Sequence, residues 1–211
     1  MKEDQTQKQQ TRRRTRLIAC VSALGVGVTL ALPHAVDAQT VSPPSVPPGL
    51  EVPAGNVAFL LGRGVGTQNY ECQPADAIGH VAWVLFTPEA TLFSDQQDQL
   101  TTHFFSPSPE EGVVVRATWQ DSRDTSIVWA KAVATADDPT GSGAIAWVKL
   151  QTAGTQVGPT GGTTLSNTTF VQRVHTVGGS APATGCALPT DIGRRAFVPY
   201  TADYFFYKKQ S

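Results

Sequence analysis

Val113-Val114-Val115-Arg116-Ala117-Thr118-Trp119, then Gln120-Asp121-Ser122-Arg123-Asp124, then the run from Ser126 to Thr135 with Ile127, Val128 and Trp129 near its start, is the stretch that decides the fold. Two runs rich in β-branched and aromatic residues flank a polar turn, which predicts a hairpin with a five- or six-residue connection. Neither run has room for three turns of amphipathic helix.

The same grammar recurs on both sides of this hairpin. Val57 to Leu61 stops at Gly62, and His80 to Phe86 stops before Pro88. Thr101 to Phe105 runs into Ser106-Pro107-Ser108-Pro109. Ala144 to Gln151 follows the turn-rich Asp137 to Gly143, Thr168 to His175 follows a glycine- and threonine-rich loop, and Ala202 to Tyr207 closes the chain. Seven to nine short strands at this spacing predict an all-β fold: a single-domain β-sandwich or closed β-barrel with long turn-rich loops.

Alternation assigns faces. In His80 to Phe86 both sets of alternate residues are apolar, so a central strand buried on both sides is expected. In Ala144 to Leu150, Ala144, Ala146, Val148 and Leu150 form one face, and Ile145, Trp147 and Lys149 the other. Tyr204 and Phe206 oppose Phe205 and Tyr207, and a final strand this aromatic is expected to be paired inside the sheet. The four tryptophans follow no common spacing, so no repeat is read.

The N-terminus carries a different message. Arg12, Arg13, Arg14 and Arg16 precede an apolar run from Leu17 to Leu32, Pro33 breaks it, and Val36-Asp37-Ala38 offers small residues before Gln39. This pattern predicts a signal peptide over residues 1–38; the run is short for a membrane span of about 20 residues. Leu17-Ile18-Ala19-Cys20 looks like a lipobox, but Cys20 begins the apolar core instead of ending it. Arg12-Arg13 would also suit a twin-arginine route. The expected location is secreted, periplasmic or cell-envelope, with no stable membrane span after cleavage. Residues 39–53, with Pro43, Pro44, Pro47, Pro48 and Pro53, form a proline-rich linker, and residues 54–211 the all-β domain.

Six of the 16 Lys/Arg and three of the 17 Asp/Glu lie before residue 39, leaving 10 against 14 and a formal charge of −4 over 173 residues. No basic stripe remains, so nucleic acid is not expected as a partner. Of three cysteines, Cys72 and Cys186 lie outside the leader. In an oxidising compartment the pair suits a disulfide; two buried thiols are the alternative.

Candidate chemistry is sparse. Gly62-Arg63-Gly64-Val65-Gly66 follows a strand, but no helix opens after it, so a turn at a sheet edge is expected and no nicotinamide or flavin dinucleotide. His103 with Asp121 or Asp124 and with His175 is a candidate metal set, and His80 is the remaining histidine of the domain. Asp121/Asp124 and Asp137/Asp138 also read as Asx turns. Asn167-Thr168-Thr169 is a glycosylation sequon. Gln68, Asn69 and Tyr70, with Gln172 and Arg173, are candidate ligand contacts on polar loops, Arg173 being an outward-facing strand cation able to clamp a carboxylate. Tyr70, Trp119 and Trp129 are candidates for an exposed sugar or peptide strip, with burial as the alternative.

Several motifs taken together resemble the DUF3455 family, an exported group of bacteria and fungi. They are Gly66 to Cys72; Ala82-Trp83 with Pro88 to Phe93; His103-Phe104; Thr118-Trp119; Asp124 to Val128; Ala144 to Leu150; Phe170 to Gly179; Ala181 to Cys186; and Val198 to Tyr207. The resemblance covers nearly all of the chain after the linker. Cys72 and Cys186 both fall inside matched motifs, which implies a shared architectural pairing. Two departures stand out: the family often has Asp-Gly-Ser where this chain has Asp124-Thr125-Ser126, and Asn where it has His175. The resemblance implies no established activity. A malate dehydrogenase label carried by some fungal relatives has no support in this sequence, which lacks the cofactor fold signature.

The reading is an exported all-β domain acting as a noncatalytic ligand-binding or envelope-associated module, whose partner would be a small molecule, a glycan or an envelope component. An exported metal-dependent enzyme and a structural or oligomeric envelope component are the alternatives.

Overall fold

The two apolar runs around Asp121 form β4 (Val115–Asp121) and β5 (Ile127–Ala136), paired antiparallel from Ala117↔Ala130 to Gln120↔Ile127. The other strands are β1 (Asn56–Pro74), β2 (Val81–Phe93), β3 (Gln99–Pro107), β6 (Trp147–Gln156), β7 (Thr168–Gly178) and β8 (Arg195–Lys209). This computed structural model describes residues 41–210; the signal peptide expected over residues 1–38 lies outside them. Each strand pairs with its sequence neighbour, and β8 returns to pair with β1 from Asn56↔Lys209 to Glu71↔Arg195. Of the two expected architectures the chain therefore takes the barrel: eight antiparallel strands, up and down, fully closed.

Closure removes sheet edges, and it places the aromatic last strand between β1 and β7, as its composition demands. Alternation then sorts β8. Tyr204 and Phe206 enter the lumen beside Leu92, Trp119, Val128, Val148, Leu150 and Val171. Phe205 and Tyr207 face outward, yet they too are buried, with Trp147, Val174 and Leu50.

The cover over that outer face comes from the proline-rich segment. Val41, Val46 and Val52 pack against Phe205, Tyr207 and Trp147, and Leu50 is buried. Gln172 Nε2 donates to the Leu50 carbonyl at 2.6 Å, and Lys149 Nζ donates to the carbonyls of Gly49 and Glu51 at 2.7 and 2.9 Å. The prolines keep this strap extended, while its carbonyls remain free to accept.

Two sequence expectations are corrected here. Gly62-Arg63-Gly64-Val65-Gly66 is no turn; it lies in the middle of β1. A Cβ on Gly62 would sit 2.9 Å from Leu92, one on Gly64 2.7 Å from the Tyr204 ring, and one on Gly66 2.1 Å from the Glu89 carbonyl. The glycines line the lumen side of β1 because the side chains of Leu92 and Tyr204, and at Gly66 the backbone of β2, occupy that space. The run His80 to Phe86 is not buried on both faces either: Val84 is exposed, and β2 continues through Pro88 to Phe93. The proline is tolerated because the β2–β3 ladder covers only Ala90 to Phe93. Above it the Thr87 hydroxyl accepts the Phe105 N–H at 3.0 Å.

The barrel has unlike ends. At the lower end, loop 157–167 folds inward and buries Leu165 completely. Asp124 anchors it: its carboxylate accepts the Thr164 N–H and the Ser126 N–H and hydroxyl, while Ser126 Oγ accepts the Leu165 N–H. The upper end carries loops 75–80, 108–114, 137–146 and 179–194. Cys72 and Cys186 are joined there by a disulfide, with their Cα atoms 5.5 Å apart. It pins loop 179–194 to the end of β1, where Cys72 N–H also donates to the Arg194 carbonyl and Gly193 N–H to that of Cys72.

Candidate functional site

The upper half of the lumen is not filled. A cavity of about 260 Å³ lies there, with Gln68, His103, Trp119, Arg173 and Tyr204 on its polar side. Its apolar wall includes Leu85, Phe105, Val115, Ala117, Ala130, Ala132, Val148 and Leu150. The β4–β5 ladder stops at Ala117↔Ala130, although both strands continue. Val115, Arg116, Lys131 and Ala132, from the unpaired stretches, form part of the cavity lining.

Each polar residue reaches the cavity by alternation. Gln68 lies on the lumen side of β1 before the bulge at Asn69/Tyr70. Arg173 shares the inward face of β7 with Val171, while Gln172 and Val174 face the strap. His103 comes from β3 and lies face to face on Trp119 of β4, with ring centroids 4.3 Å apart and planes 4° apart. Tyr204 stands edge-on to Trp119 at 5.8 Å, and its hydroxyl meets that of Tyr200 at 2.9 Å.

Burial sets the charges. His103 is pushed down to about 3 by desolvation, and neighbouring Arg173 adds to the effect. The ring is therefore neutral. Its Nδ1 lies 2.9 Å from the Thr118 carbonyl, which only accepts, so Nδ1 carries the hydrogen and Nε2 the lone pair. Burial raises the Tyr200 and Tyr204 hydroxyls as well, keeping both protonated. Arg173 is the one permanent charge on the polar side. It donates from Nη2 to the Ala146 carbonyl at 2.9 Å and lies against the Tyr204 hydroxyl. Its Nε, the Trp119 Nε1 and the Gln68 Nε2 are all buried N–H donors without an acceptor.

The sequence-derived site residues thus separate into three groups. Gln68, Trp119, Arg173 and His103 converge on the lumen. Arg173 points inward, contrary to the outward orientation expected, because β7 presents its odd-numbered residues at Val171 and Arg173 to the interior. Gln68-Asn69-Tyr70 and Gln172-Arg173 lie on strands and not on loops. Gln172 is buried beneath the strap and also accepts the Tyr207 hydroxyl. Tyr70 donates to the Gly179 carbonyl at 2.8 Å, and Asn69 Nδ2 approaches Glu89 at 3.4 Å. Trp129 is buried and donates to Ser106 Oγ, so no exposed strip forms from Tyr70, Trp119 and Trp129.

The candidate metal set is dispersed. Asp121 accepts the Arg123 and Asp124 N–H groups in the β4–β5 turn. Asp124 holds the lower loop; burial alone would raise its carboxyl, but the hydrogen bonds from Ser126 and Thr164 outweigh that and hold it well below the usual carboxylate range. His175 sits outside the barrel with Nδ1 2.8 Å from Asp203, which also accepts from Arg63. Among the described residues no group of three or more His, Cys, Asp or Glu side chains could hold a metal ion. His80 pairs with Asp76 on an exposed loop.

Both departures from the resembled family have a backbone reason. Thr125 has φ 60° and His175 φ 49°, left-handed conformations favoured by Gly and Asn respectively. Position 175 is thus a β7–β8 bulge residue first, and its place outside the lumen removes it from the candidate site.

No described helix is long and apolar enough to cross a membrane, a statement that leaves strands aside. No curated protein and no solved structure matches this chain. A family model does match residues 53–208, from the end of the strap through nearly all of β8, and the chain belongs to that family, described as protein of unknown function (DUF3455).

Proposed function

We propose that this protein is an exported, noncatalytic module that holds a small organic molecule in the upper lumen of its barrel. The observation that carries the reading is an open cavity in the lumen whose lining residues Gln68, Trp119 and Arg173 each keep a buried N–H donor without an acceptor. Leaving such groups unpaired costs about 1–3 kcal/mol each, and a bound molecule supplying acceptors recovers that cost. The volume lies just below the range of about 300–1,000 Å³ typical of drug-sized ligands, so the occupant is small. Export is supported by the basic-apolar N-terminal sequence and by the Cys72–Cys186 bond.

The site lacks the parts of a hydrolase. His103 has its Nδ1 committed to a backbone carbonyl and stacks on a tryptophan, and no Ser, Cys, Asp or Glu lines the cavity. Saturation-transfer NMR with benzoate, benzamide and benzyl alcohol tests the reading. At least one should bind, and binding should vanish in Ala130→Leu and Ala132→Phe, which fill the lumen and its mouth, while both variants still melt cooperatively. Absence of binding by all three, or binding unaffected by both substitutions, would contradict it.

A further inference from the structure

We infer that the lumen selects a small monocarboxylate, with the acid group on Arg173 and an apolar body against Leu85, Phe105, Ala130 and Val148. This rests on the lumen being a binding site at all, and adds the chemical class of what it takes.

Three observations converge on an anion. Every charged residue lining the cavity is a cation, namely Arg116, Lys131 and Arg173, and none is a carboxylate. Arg116 is already held by Glu111 through two bonds of 2.7 and 2.8 Å at the mouth, whereas Arg173 meets neutral groups, the Ala146 carbonyl and the Tyr204 hydroxyl. A guanidinium presents donors in a planar fork matched to a carboxylate, and the pairing strengthens as water is excluded. The two other unpaired groups, Trp119 Nε1 and Gln68 Nε2, are also donors. An ammonium ligand would meet like charge from Arg116, Lys131 and Arg173.

The rest of the lining sets the body. Beyond these groups the wall is aliphatic and aromatic, and Ala117, Ala130 and Ala132 keep the space open. Away from Lys131 at the mouth, a dicarboxylate or a phosphate ester would place a second charge on that apolar wall, where desolvation opposes it. One acid group on a short aliphatic or monocyclic body fits both halves.

Titration calorimetry with the purified protein separates this inference from the reading it rests on. Benzoate and hexanoate should bind at least about tenfold more tightly than benzamide and hexanamide, which match them in size. Arg173→Gln should remove the preference and Arg173→Lys should keep part of it. The comparison of acid with amide needs no variant, so it decides the matter even if Arg173→Gln fails to fold. Amides that bind as tightly as the acids, or a preference untouched by Arg173→Gln, would overturn the monocarboxylate while leaving a binding lumen. Failure of acids and amides alike would overturn both.

Discussion

His103 lies flat on Trp119, with centroids 4.3 Å and planes 4° apart, and its Nδ1–H is bound by the carbonyl of Thr118, the residue before that tryptophan. The imidazole is thereby locked in one tautomer at the floor of the cavity, with its lone pair on Nε2 and no proton to give near neutrality. A ring of this kind serves as wall and acceptor.

The pH dependence of stability follows from it. In the unfolded chain a histidine titrates near about 6.5; in the barrel His103 is pushed down to about 3. Between those values the unfolded state binds a proton that the folded state refuses, so the stability present above about 6.5 is lost as pH falls toward 3. Urea unfolding should show the natural protein losing about 2 kcal/mol more than His103→Gln between pH 7 and pH 5. Equal losses would show that His103 does not carry this dependence.

Thr125 holds a left-handed conformation, which costs a β-branched residue about 1–2 kcal/mol. Thr125→Gly relieves it against a smaller entropic loss and forfeits one hydrogen bond to the Asp124 carbonyl. The variant should be more stable by about 0.5–1 kcal/mol in chemical denaturation. His175→Asn, which suits φ 49° equally well, should be neutral within about 0.5 kcal/mol and should leave lumen binding unchanged.

Gly64 faces the Tyr204 ring so closely that any side chain must displace it. Gly64→Val should destabilise by about 3 kcal/mol through overpacking. Thr67→Val, on the outward side of the same strand, should change stability by no more than about 0.5 kcal/mol. Thermal melts of the pair distinguish an inward glycine from a turn glycine, which would tolerate the change without disturbing Tyr204.

The Cys72–Cys186 bond closes a loop across 114 positions. On the chain-entropy model, opening such a loop costs about 4–5 kcal/mol. Cys72→Ser with Cys186→Ser should lower the denaturation midpoint accordingly, and reductant should reproduce the effect in the natural protein but not in the double variant.

The strands were legible in this sequence because most keep strict alternation. Val148 and Leu150 against Trp147 and Lys149, and Tyr204 and Phe206 against Phe205 and Tyr207, fall on the faces that the pattern assigns. The glycines of β1 were misleading because glycine signals a turn by its backbone freedom, whereas here it is required by the size of Tyr204 and Leu92 on the flanking strands and, at Gly66, by the β2 backbone. Arg173 was legible as a strand cation but not as an inward one. Alternation predicts charge outward, and only the closed barrel shows that the outward positions beside it, Gln172 and Val174, are taken by the strap. His103 was singled out as a ligand residue. Its true neighbour Trp119 lies 16 positions away on the adjacent strand, and that register cannot be read without the pairing His103↔Trp119.

The most direct test of a binding lumen is the indole N–H of Trp119, a buried donor without an acceptor. In a ¹H–¹⁵N spectrum, identified through Trp119→Phe, its signal should shift downfield and saturate as benzoate is added to the purified protein, and should stay still in Ala130→Leu. A Trp119 signal that never moves while benzoate shifts surface residues alone would contradict the account.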